Sequence, residues 1–388
     1  MCWSRIFCPG PIFLLSFAIL TPSREEKRTG MERFAIRPEI WFGPGALAAL
    51  ERLAGKRVLL VTDGFLSSSG LIKRAAERLT GPVEVFDKVE PDPSLKLVAE
   101  GVAALEGFGP DAVVAFGGGS PMDCAKAMCW FSKRRPPLWC IPTTAGTGSE
   151  VTSFAVLTDT ERGVKYPLVE EGLLPETAIL DPALLEGVPP KVTADTGMDV
   201  LTHAVEAFVA KGSSPFSDAL AEKAFTLAYA RLPTAFAGDL EAKGDMLLCS
   251  CMAGMAFNAA GLGVCHAMAH ALGGRFHLPH GRLNAVLLPA VILRNAGDRR
   301  AAARYAALAK SCGLAGTPRA LSAALARLRT ALDLPDRLPV EPEELKAALD
   351  DLAAAALADG CMAANPIPLT ADEVKALLAQ AGGLGGRP

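Results

Sequence analysis

The chain has 388 residues, of which 50% are hydrophobic and 21% are charged. A chain of this length is expected to hold about two domains. Its 39 lysines and arginines nearly balance 42 aspartates and glutamates, which leaves a formal net charge of −3. This balance argues against a nucleic-acid-binding surface and against an acidic disordered tail. The ten cysteines form no CxxC pair, so a reducing compartment is favoured over a disulfide-stapled secreted domain.

Residues 1–30 differ from the rest of the chain. The run PIFLLSFAIL at 11–20 is apolar but short for a membrane span, and no A-x-A cleavage site follows it before Met31. We interpret residues 1–30 as a non-native start extension, with a signal-like segment as the alternative. The globular pattern is predicted to begin at Met31, and no membrane association is expected.

Residues 31–188 are predicted to form a dinucleotide-binding domain. Short apolar runs typical of strands alternate with helical spacings such as LIKRAAERL and LKLVAEGVAAL. The strand-like runs, in chain order, are RVLLVTD, VEVF, DAVVAFGGG, LWCIPTT and TAILD. This alternation predicts an α/β, Rossmann-like domain with a mostly parallel, doubly wound sheet.

Residues 189–388 are predicted to form an all-α domain. Strand signals stop near Pro189, and long alanine-rich helical patterns follow, for example MDVLTHAVEAFVA and SDALAEKAFTLAYARL. The boundary is placed at Val188-Pro189-Pro190, because proline lacks a backbone donor and disfavours helix in the residue before it.

Two glycine-rich loops follow strands of the first half. VVAFGGGSPMDCAK at 113–126 runs from an apolar strand through three glycines into a helix, and IPTTAGTGSE at 141–150 is rich in hydroxyls and glycines. Glycine lets backbone N–H groups approach a pyrophosphate, and a helix N-terminus adds partial positive charge. Two such loops at the carboxyl ends of parallel strands indicate dinucleotide binding.

Asp63 ends the first predicted strand. A carboxylate at this position can accept hydrogen bonds from an adenosine ribose and repel a 2′-phosphate, which favours NAD over NADP. The alternative is an ordinary turn aspartate before glycine.

The second half concentrates metal-ligand residue types. Asp199 and His203 are four apart on a predicted helix, so their Cβ atoms lie roughly 6 Å apart on one face. The other four histidines, at 266, 270, 277 and 280, lie in one fifteen-residue run. Two of them, with Asp199 and His203, would complete an open site for a divalent cation. Spacing alone leaves open which two, and whether the cation is Fe²⁺ or Zn²⁺.

These motifs resemble those of the iron-dependent (group III) alcohol dehydrogenase family over essentially all of 31–388. The resemblance is in GGGSPMDCAK, PTTAGTGSEVT, TGMDVLTHAVEAF and GLGVCHAMAH with PHGRLNAVLLP. Within the family, DGFL at 63–66, KYPL at 165–168 and GGRFHLPHG are most similar to members from propanediol-utilisation microcompartments.

The resemblance implies a role for each matching residue. The metal ligands are Asp199, His203, His266 and His280, and His270 is catalytic beside the nicotinamide. Cofactor contacts fall on Asp63, Gly118, Gly119, Ser120, Thr143, Thr144, Thr147, Ser149 and Lys165, and the substrate pocket on Phe154, Phe257 and Cys361. The family architecture, shared with dehydroquinate synthase, has a Rossmann-like domain followed by a helical domain.

The implied activity is NAD(H)-dependent interconversion of short primary alcohols and aldehydes, propanol and ethanol among them. The resemblance also implies a homodimer in the cytoplasm, which can be enclosed in a microcompartment lumen. Phe154 stands where the lactaldehyde-reducing relatives have a polar residue, and Ile367 where many relatives have arginine. Lactaldehyde reduction is the alternative activity. A dehydroquinate synthase-type lyase is a more distant alternative, because the metal-side helices offer mainly Arg275 and Arg282 as anion partners.

Overall fold

The computed structural model describes residues 33–160 and 164–384, and only the backbone of 164–166. The predicted start extension, residues 1–30, lies outside the described residues. Contacts assign Phe34–Pro388 to one compact unit.

The first half is built on a six-stranded sheet whose paired strands are all parallel, in the order β1-β8-β5-β4-β2-β3. The strands along the chain are β1 (Glu39–Phe42), β2 (Val58–Asp63), β3 (Val83–Val89), β4 (Ala112–Gly117), β5 (Leu138–Pro142), β6 (Phe154–Asp159), β7 (Val164–Val169) and β8 (Thr177–Leu180). Strands β6 and β7 form a separate antiparallel hairpin. The five predicted strand runs are confirmed, whereas β1 and the hairpin were not predicted.

Helices cover both faces of this sheet. They are α1 (Gly64–Ser68), α2 (Lys73–Ala76), α3 (Leu95–Phe108) and α4 (Gly119–Phe131), with a 3-10 helix at Ala46–Leu53. Alternate residues of β2 enter different cores: Leu60 packs with the 3-10 helix and α2, and Leu59 packs with α3 and α4. The doubly wound prediction is confirmed. The helix predicted in LIKRAAERL shrinks to the four residues of α2.

The second half is helical from Pro190 onward. Its helices are α5 (Pro190–Val209), α6 (Pro215–Phe236), α7 (Leu240–Ala260), α8 (Val264–Phe276), α9 (His280–Asn295), α10 (Arg299–Ser311), α11 (Pro318–Ala331), α12 (Pro342–Ala358) and α13 (Ala371–Ala381). They share one continuous hydrophobic core. The change from strands to long helices falls between Leu180 and Pro190, and the domain boundary at 188/189 stays a prediction.

Among the described residues, no single helix is long and apolar enough to cross a membrane. The bent pair α7 and α8 passes that test only when the two helices are taken together. Both contribute heavily to the buried core, as helices inside a folded protein do.

The strand order places a topological switch between β2 and β4. Strand β3 lies on one side of β2, and the chain then crosses to β4 on the other side. In open α/β sheets, ligands bind in the crevice beyond the carboxyl ends of the two strands at such a switch. Asp63 ends β2 and Gly117 ends β4, so Asp63 and the glycine-rich loop after β4 both border this crevice.

Candidate active site

Helix α5 carries three polar side chains on one face. Asp199, His203 and Glu206 are separated by four and three residues, and all three are buried. Side chains at these spacings share one side of an α-helix. Because a buried carboxylate or imidazole is costly unless paired, this face must meet polar partners on neighbouring helices.

Two further helices bring histidines to that face. His266 lies in the first turn of α8, and His280 is the first residue of α9. Asp199 Oδ1 lies 3.7 Å from His266 Nε2 and 3.6 Å from His280 Nε2. The donor atoms of these three residues all lie within 4.8 Å of one another. The ring of His203 stacks on that of His266, with centroids 4.5 Å apart. All four residues that the resemblance assigns to the metal therefore lie together.

The close approach of α9 to α5 requires glycine at position 281. A Cβ added there would lie 1.9 Å from the carbonyl oxygen of Asp195 and 3.2 Å from Asp199 Cβ. Next to it, Arg282 donates two hydrogen bonds to Asp195, of 3.1 and 2.8 Å. The missing side chain lets the helices touch, and this charge-assisted pair fixes His280 against Asp199.

Glu206 determines which nitrogen of His266 faces the cluster. Its carboxylate accepts backbone N–H groups of Gly263 at 3.0 Å and Cys265 at 2.8 Å, and it lies 2.6 Å from His266 Nδ1. With an acceptor opposite it, Nδ1 carries the proton and Nε2 is left facing Asp199. Nε2 is buried and has no hydrogen-bond partner among the described residues. An orphaned ring nitrogen directed at a carboxylate fits a ligand of a cation.

The electrostatics of the cluster favour a positive charge. Burial opposes ionisation of Asp199, but the neighbouring histidines hold its pKa well below the ordinary range. Burial lowers the pKa of His203 to about 3, so this ring is neutral and has a lone pair to offer. For His266 burial is outweighed by the neighbouring carboxylates of Asp199 and Glu206, which raise its pKa to about 9. The donor set therefore fits a divalent cation.

Two supporting residues of this cluster were missed in the sequence analysis. Glu206 follows Asp199 by seven residues, a helical spacing that could have indicated it. Asn284 donates from Nδ2 to Asp199 Oδ1 over 2.8 Å, and the same atom lies 3.1 Å from His280 Nε2. It lies four residues after His280, one turn further along the same helix.

His270 lies beside the cluster and has a carboxylate partner of its own. Its ring stacks on His280 with centroids 5.1 Å apart, and its Nδ1 lies 2.9 Å from Asp359 Oδ2. Burial would raise the pKa of Asp359, but the hydrogen bonds from His270 and the N–H of Cys361 hold it well below its usual range. Asp359 is thus an ionised acceptor, so Nδ1 of His270 carries the proton and Nε2 is the basic nitrogen. Asp359 was also missed from the sequence.

The predicted pocket residues lie next to these histidines. The rings of Phe154 and Phe257 have centroids 6.2 Å apart, and Phe257 also stacks on His203 at 4.6 Å. Cys361 belongs to the group around His270 and Asp359. An apolar wall and a thiol therefore border the cluster, and their role as a substrate pocket stays a prediction.

The two glycine-rich loops meet at the carboxyl edge of the sheet. Gly118 is the N-cap of α4 and supplies no side-chain cap. A Cβ on Gly119 would lie 2.9 Å from Thr147 Cγ2, and one on Gly118 would lie 3.3 Å from Thr144 Oγ1. Thr143 N–H donates to the carbonyl oxygen of Gly117 over 3.0 Å. The α4 N-terminus, with backbone N–H groups and partial positive charge, suits a pyrophosphate.

A buried hydrogen-bond network behind these loops engages Ser149. The Ser149 hydroxyl donates to Asp123 Oδ1 at 2.7 Å and accepts from Lys126 Nζ at 2.8 Å. Lys126, which was not predicted, also donates to Thr152 Oγ1 and to the carbonyl oxygen of Phe154. The Ser149 N–H donates to the hydroxyl of Thr147 as well. Ser149 was predicted to contact the cofactor, but both of its donors are engaged within the protein.

Asp63, Ser120 and Lys165 are the remaining predicted cofactor residues. Asp63 is the N-cap of α1, and its Oδ1 accepts from Leu66 N–H at 2.8 Å. This is the turn role that the sequence left open. Ser120 lies in the first turn of α4 and accepts from the N–H of Asp92. The side chain of Lys165 lies outside the described residues.

The parallel sheet with its crevice, the helical half and the buried carboxylate–histidine cluster are features of a metal-dependent enzyme that binds a dinucleotide. Residues 38–182 match the family described as iron-containing alcohol dehydrogenase. Residues 193–382 match the C-terminal region of the Fe-containing alcohol dehydrogenase family.

Comparison with individual proteins agrees with these family matches. The 1-propanol dehydrogenase of Salmonella typhimurium is 45% identical over 366 residues, which cover 90% of this chain and 99% of that protein. The NADPH-dependent butanol dehydrogenase of Clostridium saccharobutylicum is 38% identical over 376 residues, covering 89% and 96%. The solved structure of sulfoacetaldehyde reductase from Bifidobacterium kashiwanohense in complex with NAD⁺ gives a TM-score of 0.83 at 29% identity, covering 92% and 100%.

The chain belongs to the iron-containing alcohol dehydrogenase family. It is a metal-dependent oxidoreductase that interconverts alcohols and aldehydes. The predicted family, fold class and enzyme class are confirmed, and the roles of individual residues stay proposals.

Proposed function

We propose that this enzyme interconverts short-chain primary alcohols and aldehydes, such as propanol with propionaldehyde and ethanol with acetaldehyde, using NAD(H). The observation that carries the proposal is the convergence of Asp199, His266 and His280 within 4.8 Å, beside the apolar pair Phe154 and Phe257. A cation-binding cluster next to an apolar wall suits a substrate with one oxygen and a short hydrocarbon chain.

The four residues Asp199, His203, His266 and His280 would hold Fe²⁺, with Zn²⁺ as the alternative. Three imidazoles and one carboxylate without a thiolate suit a catalytic rather than a structural site. A bound cation supplies Lewis acidity toward the substrate oxygen. Glu206 orients His266 for this purpose, and Asn284 orients Asp199.

His270 is proposed to hold and return the proton. Because Asp359 accepts from Nδ1, the ring presents Nε2 as the nitrogen that takes a proton during alcohol oxidation and returns it during aldehyde reduction. A solvent relay or a ribose hydroxyl can link Nε2 to the substrate. Asp359 keeps the ring in the required tautomer and orientation.

The crevice between β2 and β4 is proposed to take NAD(H), which supplies the hydride acceptor or donor. The proposed contacts are Asp63, Gly118, Gly119, Ser120, Thr143, Thr144, Thr147 and Lys165. The NAD⁺ complex of the sulfoacetaldehyde reductase supports this choice, whereas the butanol dehydrogenase is named for NADPH. We reassign Ser149 from cofactor contact to loop positioning, because its donors are already used.

The experiment that tests the proposed function is a substrate panel on Fe²⁺- and Zn²⁺-reconstituted enzyme, followed by NADH absorbance. Propionaldehyde and acetaldehyde should be reduced with a higher kcat/KM than lactaldehyde. Burying the unpaired hydroxyl of lactaldehyde costs about 1–3 kcal/mol, which is roughly 5- to 150-fold in kcat/KM.

A matched variant sharpens the panel. Phe154→Asn should improve lactaldehyde reduction, while the Lys126 contact to the main chain at 154 is kept. Lactaldehyde as the best substrate of the unmodified enzyme would favour the lactaldehyde reductase alternative over our proposal.

The setting of the reaction is also a proposal. We place the enzyme in the cytoplasm, within a microcompartment lumen where one is present, and as a homodimer. The motif resemblance to microcompartment members supports this location. Fractionation of purified microcompartments and the mass of the protein in solution test the two parts separately.

A further inference from the structure

A second group of metal-binding side chains lies beside the first. It consists of His270 from α8, Asp359, which precedes the 3-10 helix Gly360–Ala364, and Cys361 within that helix. One nitrogen, one oxygen and one sulfur donor all lie within 4.8 Å of one another. None of these three residues belongs to the proposed Fe²⁺ ligands.

The local backbone holds this group in place. Asp359 is the N-cap of the 3-10 helix, and its Oδ1 accepts the N–H of Cys361 at 2.8 Å. Its Oδ2 is then directed at His270 Nδ1, 2.9 Å away. All three side chains are half-buried, so solvent ions can reach donors that are already partly desolvated.

We propose that His270, Asp359 and Cys361 form a second cation site that takes a thiophilic divalent ion such as Zn²⁺. Zinc binds imidazole nitrogen, carboxylate oxygen and thiolate sulfur, and completes a tetrahedron with water. Two ligands at about 2.0–2.1 Å from tetrahedral zinc are roughly 3.3 Å apart. The His270–Asp359 pair therefore has to open by only a few tenths of an ångström.

The charges of the two sites are compatible. Asp359 and a Cys361 thiolate would contribute two negative charges to the second cation, and Asp199 with Glu206 lie around the first. Each cation is thus neutralised locally, which limits the repulsion between them. The two sites should prefer different cations, because only the second contains a soft sulfur ligand.

The thiol reports directly on occupancy. Without a cation, burial and the neighbouring Asp359 raise the pKa of Cys361 well above its ordinary value. A coordinated thiol is deprotonated, so cation binding forms one metal–sulfur bond and releases the thiol proton to the buffer, while the neutral His270 ring exchanges its Nδ1 proton for one on Nε2.

Occupancy should inhibit turnover, and this consequence rests on the proposed function. A cation at Nδ1 of His270 displaces Asp359, which otherwise sets the tautomer and orientation of the ring. Excess Zn²⁺ would then slow the iron-loaded enzyme through a site distinct from its Fe²⁺ ligands.

The test uses Co²⁺ as the probe, because a thiolate-to-cobalt charge-transfer band in the near ultraviolet reports sulfur ligation. The full chain should bind about two Co²⁺ ions and show the band, since only the second site has a thiolate. Cys361→Ser should lose the band and bind about one Co²⁺. His280→Ala should keep the band, because His280 is not a ligand of the second site.

Controls separate this site from other thiols and from misfolding. Cys312→Ser, at the other half-buried described cysteine, should keep the band. The buried Cys265 lies near the first site, but its Sγ is turned to Asn284 at 3.5 Å. Retention of one Co²⁺ by Cys361→Ser shows that the fold is intact.

Absence of the band at excess Co²⁺, or its survival in Cys361→Ser, overturns the second site. Zn²⁺ inhibition is scored as the ratio of inhibited to uninhibited rate for each variant, and Cys361→Ser should be less inhibited. A band that depends on Cys361 without such inhibition would keep the site and refute only the proposed role of His270.

Discussion

The two halves of the molecule build their candidate sites from different groups. In the helical half the site consists of buried side chains, with Asp199 and His266 supported by Glu206 and Asn284. In the sheet half it consists mainly of backbone, at the α4 N-terminus after Gly118. A substitution removes a donor from the first site, whereas it mostly changes charge or space around the second. Substitutions should therefore reduce metal binding and activity strongly on the metal side, and change cofactor preference only modestly on the cofactor side.

His280→Ala provides the strongest test of that contrast. The change removes one of four proposed ligands, so bound metal and activity should both fall, by more than the roughly 10- to 100-fold that a supporting residue costs. Metal analysis of the purified protein and NADH-coupled rates measure the two effects. Full metal content in this variant would remove His280 from the ligand set.

His270→Ala should separate proton transfer from metal binding. Removing a positioned acid–base group should lower kcat by about 10²- to 10⁴-fold, while the metal content stays at that of the unmodified enzyme. The same two assays apply. Equal metal loss in His270→Ala and His280→Ala would refute our division between relay and ligand.

Glu206→Gln tests whether support matters as much as ligation on the metal side. The amide keeps the shape but loses the charge that accepts from His266 Nδ1, so metal affinity should fall by about 10- to 100-fold. Competition with a chelator measures the affinity. Glu222→Gln, an exposed position on α6, is the control and should leave the affinity unchanged.

Asp63→Asn should show the smallest effect, on the cofactor side. Asparagine can still accept from Leu66 N–H and cap α1, so the change isolates the charge. Loss of about 1 kcal/mol of repulsion should raise the NADPH/NADH ratio of kcat/KM by roughly 5- to 10-fold. An unchanged ratio would leave Asp63 as a turn residue only.

The fold was predictable where local pattern and tertiary role agree. Strands β2, β4 and β5 are apolar runs followed by turns, so the parallel sheet could be inferred. Strand β7 contains Pro167, which argues against a strand in sequence, yet it is tolerated in a two-stranded hairpin. Strand β1 pairs through Glu39 with Thr177, a long-range contact that no local pattern reports.

The candidate site was predictable where residue types are rare. Histidines number five in the chain, so four within fifteen residues indicate chemistry. Glu206 and Asp359 are two of 42 acidic residues and produce no such density. Asp359 meets His270 across 89 residues of sequence, and only the folded chain shows the pair.

The proposed Fe²⁺ ligands are distributed over three helices, α5, α8 and α9, so a bound cation should also stabilise the folded chain. A cation that binds only the folded chain cross-links these helices and raises the free energy of unfolding. At a free concentration one thousandfold above Kd, the gain is about 4.1 kcal/mol. Chelation should therefore lower the melting temperature as well as the rate, and iron supply would set the lifetime of the protein together with its activity.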